Sequence, residues 1–99
     1  MILKDGEKIH VITRRSQAED PRRHFVGEVL TAEAGMARAA GYTFVYNNST
    51  NAFRRRPELR IRIISLVDAG NIVNVLPPGV TVERLEYRVL DGRLVLTDD

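Results

Sequence analysis

The chain has 99 residues, 43% apolar and 28% charged, the usage of one ordinary globular domain with a modest core rather than of a disordered tract. Fifteen Lys and Arg against thirteen Asp and Glu leave a formal charge of only +2, too little to make the whole surface attractive to polyanions. Cysteine is absent, which excludes disulfide staples, thiolate metal sites and cysteine nucleophiles.

No apolar run approaches the ~20 residues needed to cross a bilayer, so no membrane partner is expected. Met1-Ile2-Leu3 passes straight into Lys4 and Asp5 without the apolar core of a secretory signal, and a cytoplasmic location is the default expectation. Charge is uneven along the chain, with twelve basic against seven acidic groups in residues 1–62 and three against six in residues 63–99. Thirteen of the basic residues are arginine, clustered at Arg14-Arg15, Arg22-Arg23 and Arg54-Arg55-Arg56. Guanidinium forks suit bidentate phosphate contacts; solvated strand faces are the plainer use.

Period-two alternation and closely spaced turn signals predict an all-β chain. Lys8 to Arg15 forms a first strand, with Ile9 and Val11 on one face and His10, Ile12 and Arg14 on the other. Ser16 to Pro21 is a polar loop closed by a residue that cannot donate to a ladder. Arg22 to Glu33 is a longer strand with Phe25, Gly27, Val29 and Thr31 on one side, and mid-strand Gly27 marks a bend or a close backbone approach. Residues 32–41 contain good helix formers, but Gly35 and Gly41 bracket too few residues for a stable helix.

Tyr42 to Asn47 is a strand of aromatic and β-branched residues, followed by a turn over Asn47 to Asn51. Arg54 to Pro57 is expected to continue that loop. Leu59 to Val67 then forms a strand with Leu59, Ile61 and Ile63 inward and Arg60 and Arg62 outward, its continuous apolar end from Ile64 to Val67 buried on both faces. A tight turn at Asp68 to Asn71 leads into Ile72 to Leu76, ended by Pro77-Pro78-Gly79. Thr81 to Val89, Asp91-Gly92 and Arg93 to Thr97 make a last hairpin of the primed-turn kind.

Two segments carry a family resemblance. Phe25-x-Gly27-x-Val29-Leu30-Thr31-Ala32-Glu33-x-x-Met36 resembles the first signature of the Sm/LSm family, and Leu66-Val67-Asp68-Ala69-Gly70-Asn71-Ile72-Val73-Asn74-Val75-Leu76-Pro77 resembles the second. The polar stretch from Asn47 to Pro57 fits the family's variable loop. The resemblance covers residues 8–80 within a single 1–99 domain and implies a small, strongly bent five-stranded SH3-like barrel, here with an extra C-terminal β-hairpin over residues 81–97. It also implies a homo-oligomeric ring closed by strand pairing between subunits. Ile63, Ile64, Leu66 and Val67 on one strand, and Ile72, Val73 and Val75 on the next, are the corresponding interface candidates, and such pairing removes apolar edges that invite aggregation.

RNA is the ligand the resemblance implies, but the base-reading positions depart from the pattern. Ala37 replaces the expected Asn and Ala69 the expected Arg, which removes a hydrogen-bonding amide and a stacking guanidinium. The remaining RNA-binding candidates are Glu33, Met36, Asp68, Gly70 and Asn71 around the two signatures, with Arg38, Arg54, Arg55 and Arg56 as phosphate-facing groups. The expected role is an assembling protein that binds RNA or another polyanion with little base preference; the alternative is a scaffolding homo-oligomer without nucleic-acid binding.

Catalysis has no motif behind it. His10 and His24 lack a third ligand at metal spacing, so neither metal nor cofactor is expected. Ser16, Ser49 and Ser65 lack a nucleophile-elbow context, no carboxylate couple stands out, and the chain is expected to be non-enzymatic. Tyr42, Phe44 and Tyr46 share a strand face, as a base-stacking platform or as core.

Overall fold

The computed structural model describes residues 3–15, 17 and 19–99. Met1 and Ile2, and Ser16 and Ala18 of the expected 16–21 loop, lie outside them. The described chain is all-β: β1 (Lys8–Thr13), β2 (Arg23–Glu33), β3 (Met36–Asn47), β4 (Ala52–Arg55), β5 (Arg60–Ser65), β6 (Asn71–Val75), β7 (Glu86–Leu90) and β8 (Arg93–Thr97), with a 3₁₀ turn over Val82–Arg84.

The first six strands form one antiparallel sheet in the order β4-β3-β2-β1-β6, with β5 also on β3. The twelve-residue β3 holds β5 along residues 36–41 and β4 along residues 44–47. Pro57, which has no N–H to offer, lies in the break between the two. β2 and β3 are joined by the two-residue turn Ala34-Gly35, both at positive φ (51° and 75°), the left-handed pair a tight hairpin needs. Asp91-Gly92 closes the β7–β8 hairpin in the same way, with φ of 52° and 75°, as expected.

The sheet is strongly curled. Laid flat, the four strand-to-strand steps from β5 to β6 would span about 19 Å. Only residues 66–70 connect them, and these are folded into a turn by the Asn71 N–H bond to the Asp68 carbonyl at 3.1 Å. The crease lies where Gly27 stands opposite Gly41: a Cβ on Gly41 would come within 1.9 Å of the Val26 carbonyl oxygen and 2.5 Å of Gly27 Cα. A bulge between Val29 and Thr31 adds to the bend. The expected closed barrel is not formed, because β5 and β6 pair only with β3 and β1 and the sheet stays open between them.

Curling gives the sheet an inner and an outer face, each with its own core. Inside, Ile9, Val11, Phe25, Val29, Ala37, Ala39 and Ile64 cluster with Leu3, which plugs one end. Outside, Val26 and Phe44 are buried under Val82 and Leu85, with Tyr87 and Leu96 of the C-terminal hairpin packed against them. Phe44 is therefore core rather than an open stacking surface.

Three expected elements differ. Ala52–Arg55 is a strand rather than loop, because Asn51 takes φ 55° and Phe53 pairs across to Tyr46 with ring centroids 5.2 Å apart, a favoured cross-strand contact. Thr81 to Val89 is not one strand. Its first part is the 3₁₀ turn, which places Val82 and Leu85, three residues apart, on the same side. Finally, β5 faces the other way: Ile64 is buried at 7% exposure, whereas Leu59, Ile61 and Ile63 are at 60%, 61% and 54%. Two apolar registers overlap here, and the core takes the one containing Ile64, which sends Arg60 and Arg62 inward. Val67, expected to be buried, is exposed.

Candidate functional site: an arginine-lined cleft

The end of the curled sheet opposite Leu3 opens into a cleft of about 630 Å³, within the size range of ligand pockets. Its apolar floor is Val11, Phe25 and Ile64, and its wall carries Arg23, Arg56, Arg60 and Arg62 with a single acid, Glu58. Strand register explains the convergence. Arg23 lies two residues before core Phe25, and Arg60 and Arg62 stand opposite Gly41 and Ala39, where small residues leave room for guanidinium stems over the floor. Arg56 is set by its own N–H, which bonds the Thr43 carbonyl at 2.8 Å.

None of these four guanidinium groups has an ion-pair partner among the described residues; the Arg88–Glu86 pair lies on the outer hairpin. Four like charges gathered around one acid, with no ion pair to it, repel one another. Thr43, Ser65 and Asn71 add neutral polar groups to the same wall. The arrangement can take up an anion with several phosphate or carboxylate groups through charge-assisted hydrogen bonds.

The Arg54-Arg55-Arg56 run is split by strand alternation. Arg56 lines the cleft, while Arg54 pairs across to Val45. Arg55 points to the outer face, where it donates to the Glu83 carbonyl and lies 5.0 Å from the Tyr42 ring centroid. Arg55 therefore fastens the 3₁₀ turn, and Arg55→Ala is expected to lower stability by about 1–2 kcal/mol, the worth of a charged hydrogen bond and an exposed cation–π contact. Anion affinity at the cleft should stay unchanged, as a urea titration beside an anisotropy titration would show.

Arg38, between buried Ala37 and Ala39, is exposed on the outer face. Glu33 and Met36 close the β2–β3 hairpin, and the Leu66 N–H bonds the Gly35 carbonyl at 2.8 Å, so the two signature segments do meet. The polar side chains of the second segment are engaged within its own turn. Asp68 Oδ1 accepts the Gly70 N–H at 2.7 Å, and Asn71 Nδ2 donates to the Ser65 carbonyl at 3.1 Å. Among the interface candidates, Ile64 is core, Leu66 and Val73 pack partly against it, and Ile63, Val67, Ile72 and Val75 are exposed.

One cluster has no counterpart in the sequence reading. His10 on β1 and His24 on β2 both reach Tyr87 on β7: the Tyr87 hydroxyl lies 2.8 Å from His10 Nε2 and 2.5 Å from His24 Nδ1. Phe53 stacks on both His24 and Tyr87, with centroids 4.3 and 4.7 Å away. Burial lowers the pKa of both imidazoles. That of His24 falls to about 4 through burial, then His10, then Arg22, and burial raises the Tyr87 phenol. The signal in the sequence was the two histidines on the same face of neighbouring strands; their partner depends on how a distant hairpin docks.

No helix among the described residues is long and apolar enough to cross a membrane, and no three His, Cys, Asp or Glu side chains among them are grouped to hold a metal. No family model, curated protein or solved structure matches the chain.

Proposed function

We propose that this chain is a non-enzymatic, Sm-like assembly module that associates with copies of itself along β5 and β6 and binds RNA through its phosphates in the arginine cleft. The convergence of Arg23, Arg56, Arg60 and Arg62 on one cleft without acidic partners carries the binding reading. The likeness to Sm proteins draws support from the curled antiparallel sheet and the short turn between its two marginal strands. With Ala37 and Ala69 at the base-reading positions, binding follows charge rather than sequence.

Anisotropy of a labelled single-stranded RNA with the full chain, at low and moderate salt, tests the reading. Saturable, salt-sensitive binding with little difference between uridine- and adenine-rich strands is expected. Absence of binding at both salt concentrations retires the RNA role.

The bare margins favour the assembly part. β5 and β6 end the sheet at unpaired edges and expose Ile61, Ile63 and Ile72, the kind of edge that soluble proteins otherwise blunt with lysine. Light scattering should give a mass several times that of one chain. Ile61→Lys with Ile72→Lys should return it to the monomer at a stability cost within ~0.5 kcal/mol each, since both sites are exposed. A monomeric unaltered protein overturns the assembly reading.

A further inference from the structure

The C-terminal hairpin is attached to the rest of the molecule in an unusual way. β7 and β8 form a separate two-stranded sheet, and among the described residues no backbone hydrogen bond joins them to the main sheet. Apolar packing of Tyr87 and Leu96 holds the hairpin down. The only hydrogen bonds described between the hairpin and the sheet are the two at the Tyr87 hydroxyl.

A phenol has one proton and can donate only once. With both imidazoles neutral, Tyr87 donates to one ring nitrogen and accepts an N–H from the other, so both contacts are satisfied. A first added proton leaves one donor and one acceptor for the phenol. A second makes both imidazoles donors, strands the phenolic proton and sets two cations on rings whose centroids are 5.3 Å apart. We propose that His10, His24 and Tyr87 form a clasp that acid opens, freeing the β7–β8 hairpin from the outer face while the curled sheet remains paired.

The surroundings offer the protonated state no relief. Arg22 acts on His24 from beside β2, and Phe53 on β4 stacks against it. Arg55 on β4 is engaged with Glu83 and Tyr42. Asn74 on β6, opposite His10, is neutral. On β7, Glu86 and Arg88 pair with each other at 2.5 Å. Both imidazoles have pKa values below the ordinary 6.5, so the unfastened hairpin binds protons more readily than the fastened one. The clasp is then at full strength above pH 6.5 and weakens as the pH falls toward about 4, where His24 titrates.

The test is an NMR titration of the full chain from pH 7.5 to 4.0, following the imidazole C2 protons and, by hydrogen exchange corrected for intrinsic rate, the amides of β7–β8 and β1–β3. The hairpin amides are expected to lose at least tenfold in protection across the window in which the histidines titrate, while those of β1–β3 keep theirs. Imidazoles that titrate at or above 6.5, or hairpin and sheet amides that lose protection together, would overturn the clasp. His10→Asn with His24→Gln removes both titrating groups. A folded double variant should keep hairpin protection nearly constant over that range; one whose hairpin opens at the same pH as the unaltered protein sinks the idea. The titration of the unaltered chain decides the question even if that variant does not fold.

Discussion

Gly41→Ala is expected to cost at least about 3 kcal/mol, a large share of the ~5–15 kcal/mol that holds a domain together. The added methyl would sit 1.9 Å from the Val26 carbonyl oxygen and 2.5 Å from Gly27 Cα. Both obstacles are main chain of the adjacent strand and cannot turn aside as a flexible side chain would. Relief requires β2 and β3 to separate at the crease, where neighbouring Val26 and Phe25 anchor the two cores. For a domain of this size the loss corresponds to roughly 12 °C or more in the melting midpoint. Gly79→Ala is the control: a methyl there meets nothing within 4 Å, so the change should stay within ~0.5 kcal/mol. Equal midpoints for the two variants would mean that the crease is not closely packed.

The second large effect is electrostatic. Four arginines in the cleft that each neutralise one phosphate give a log–log salt slope of about −2.8 for a single strand, or roughly a fiftyfold loss of affinity between 50 and 200 mM salt. Arg60→Gln with Arg62→Gln should halve the slope to about −1.4, leaving a loss of roughly sevenfold over the same interval. Arg38→Gln, on the outer face, should leave the slope at the unaltered value. Anisotropy titrations at several salt concentrations measure all three. A slope that responds to Arg38 and not to Arg60 and Arg62 would move the binding surface out of the cleft.

The strands were legible where alternation, turn chemistry and a single buried face agree. β1, β2 and the Tyr42–Asn47 half of β3 follow their period, and Asp91-Gly92 identifies its hairpin. Around β5 the pattern is ambiguous, because residues 59–63 alternate Leu, Arg, Ile, Arg, Ile and the chain then continues into Ile64 and Leu66. Polarity favours burying the first set, whereas the space opposite Ala39 and Gly41 favours burying Ile64 and running arginine stems over the gap. The same ambiguity hides the cleft in the sequence, since Arg60 and Arg62 belong to it only when they point inward. Arg54-Arg55-Arg56 resembled one basic patch, yet a strand sends neighbours to opposite faces, and these arginines divide between the cleft, the sheet margin and a structural contact at Glu83. The hairpin after Glu33 is not legible in the sequence because Ala34 is not a residue that announces a left-handed turn.

Tyr87 meets partners 63 and 77 residues earlier in the chain, and that separation bears on how the molecule is made. During synthesis the amino-terminal strands emerge first, and β1 to β3 can pair through short connections while Val26, Phe44 and Phe53 still lack their cover. The nascent sheet therefore carries a bare greasy patch until the segment from Val82 to Leu96 has left the ribosome. In that interval a chaperone, or another copy of the chain, has its best opportunity to bind there.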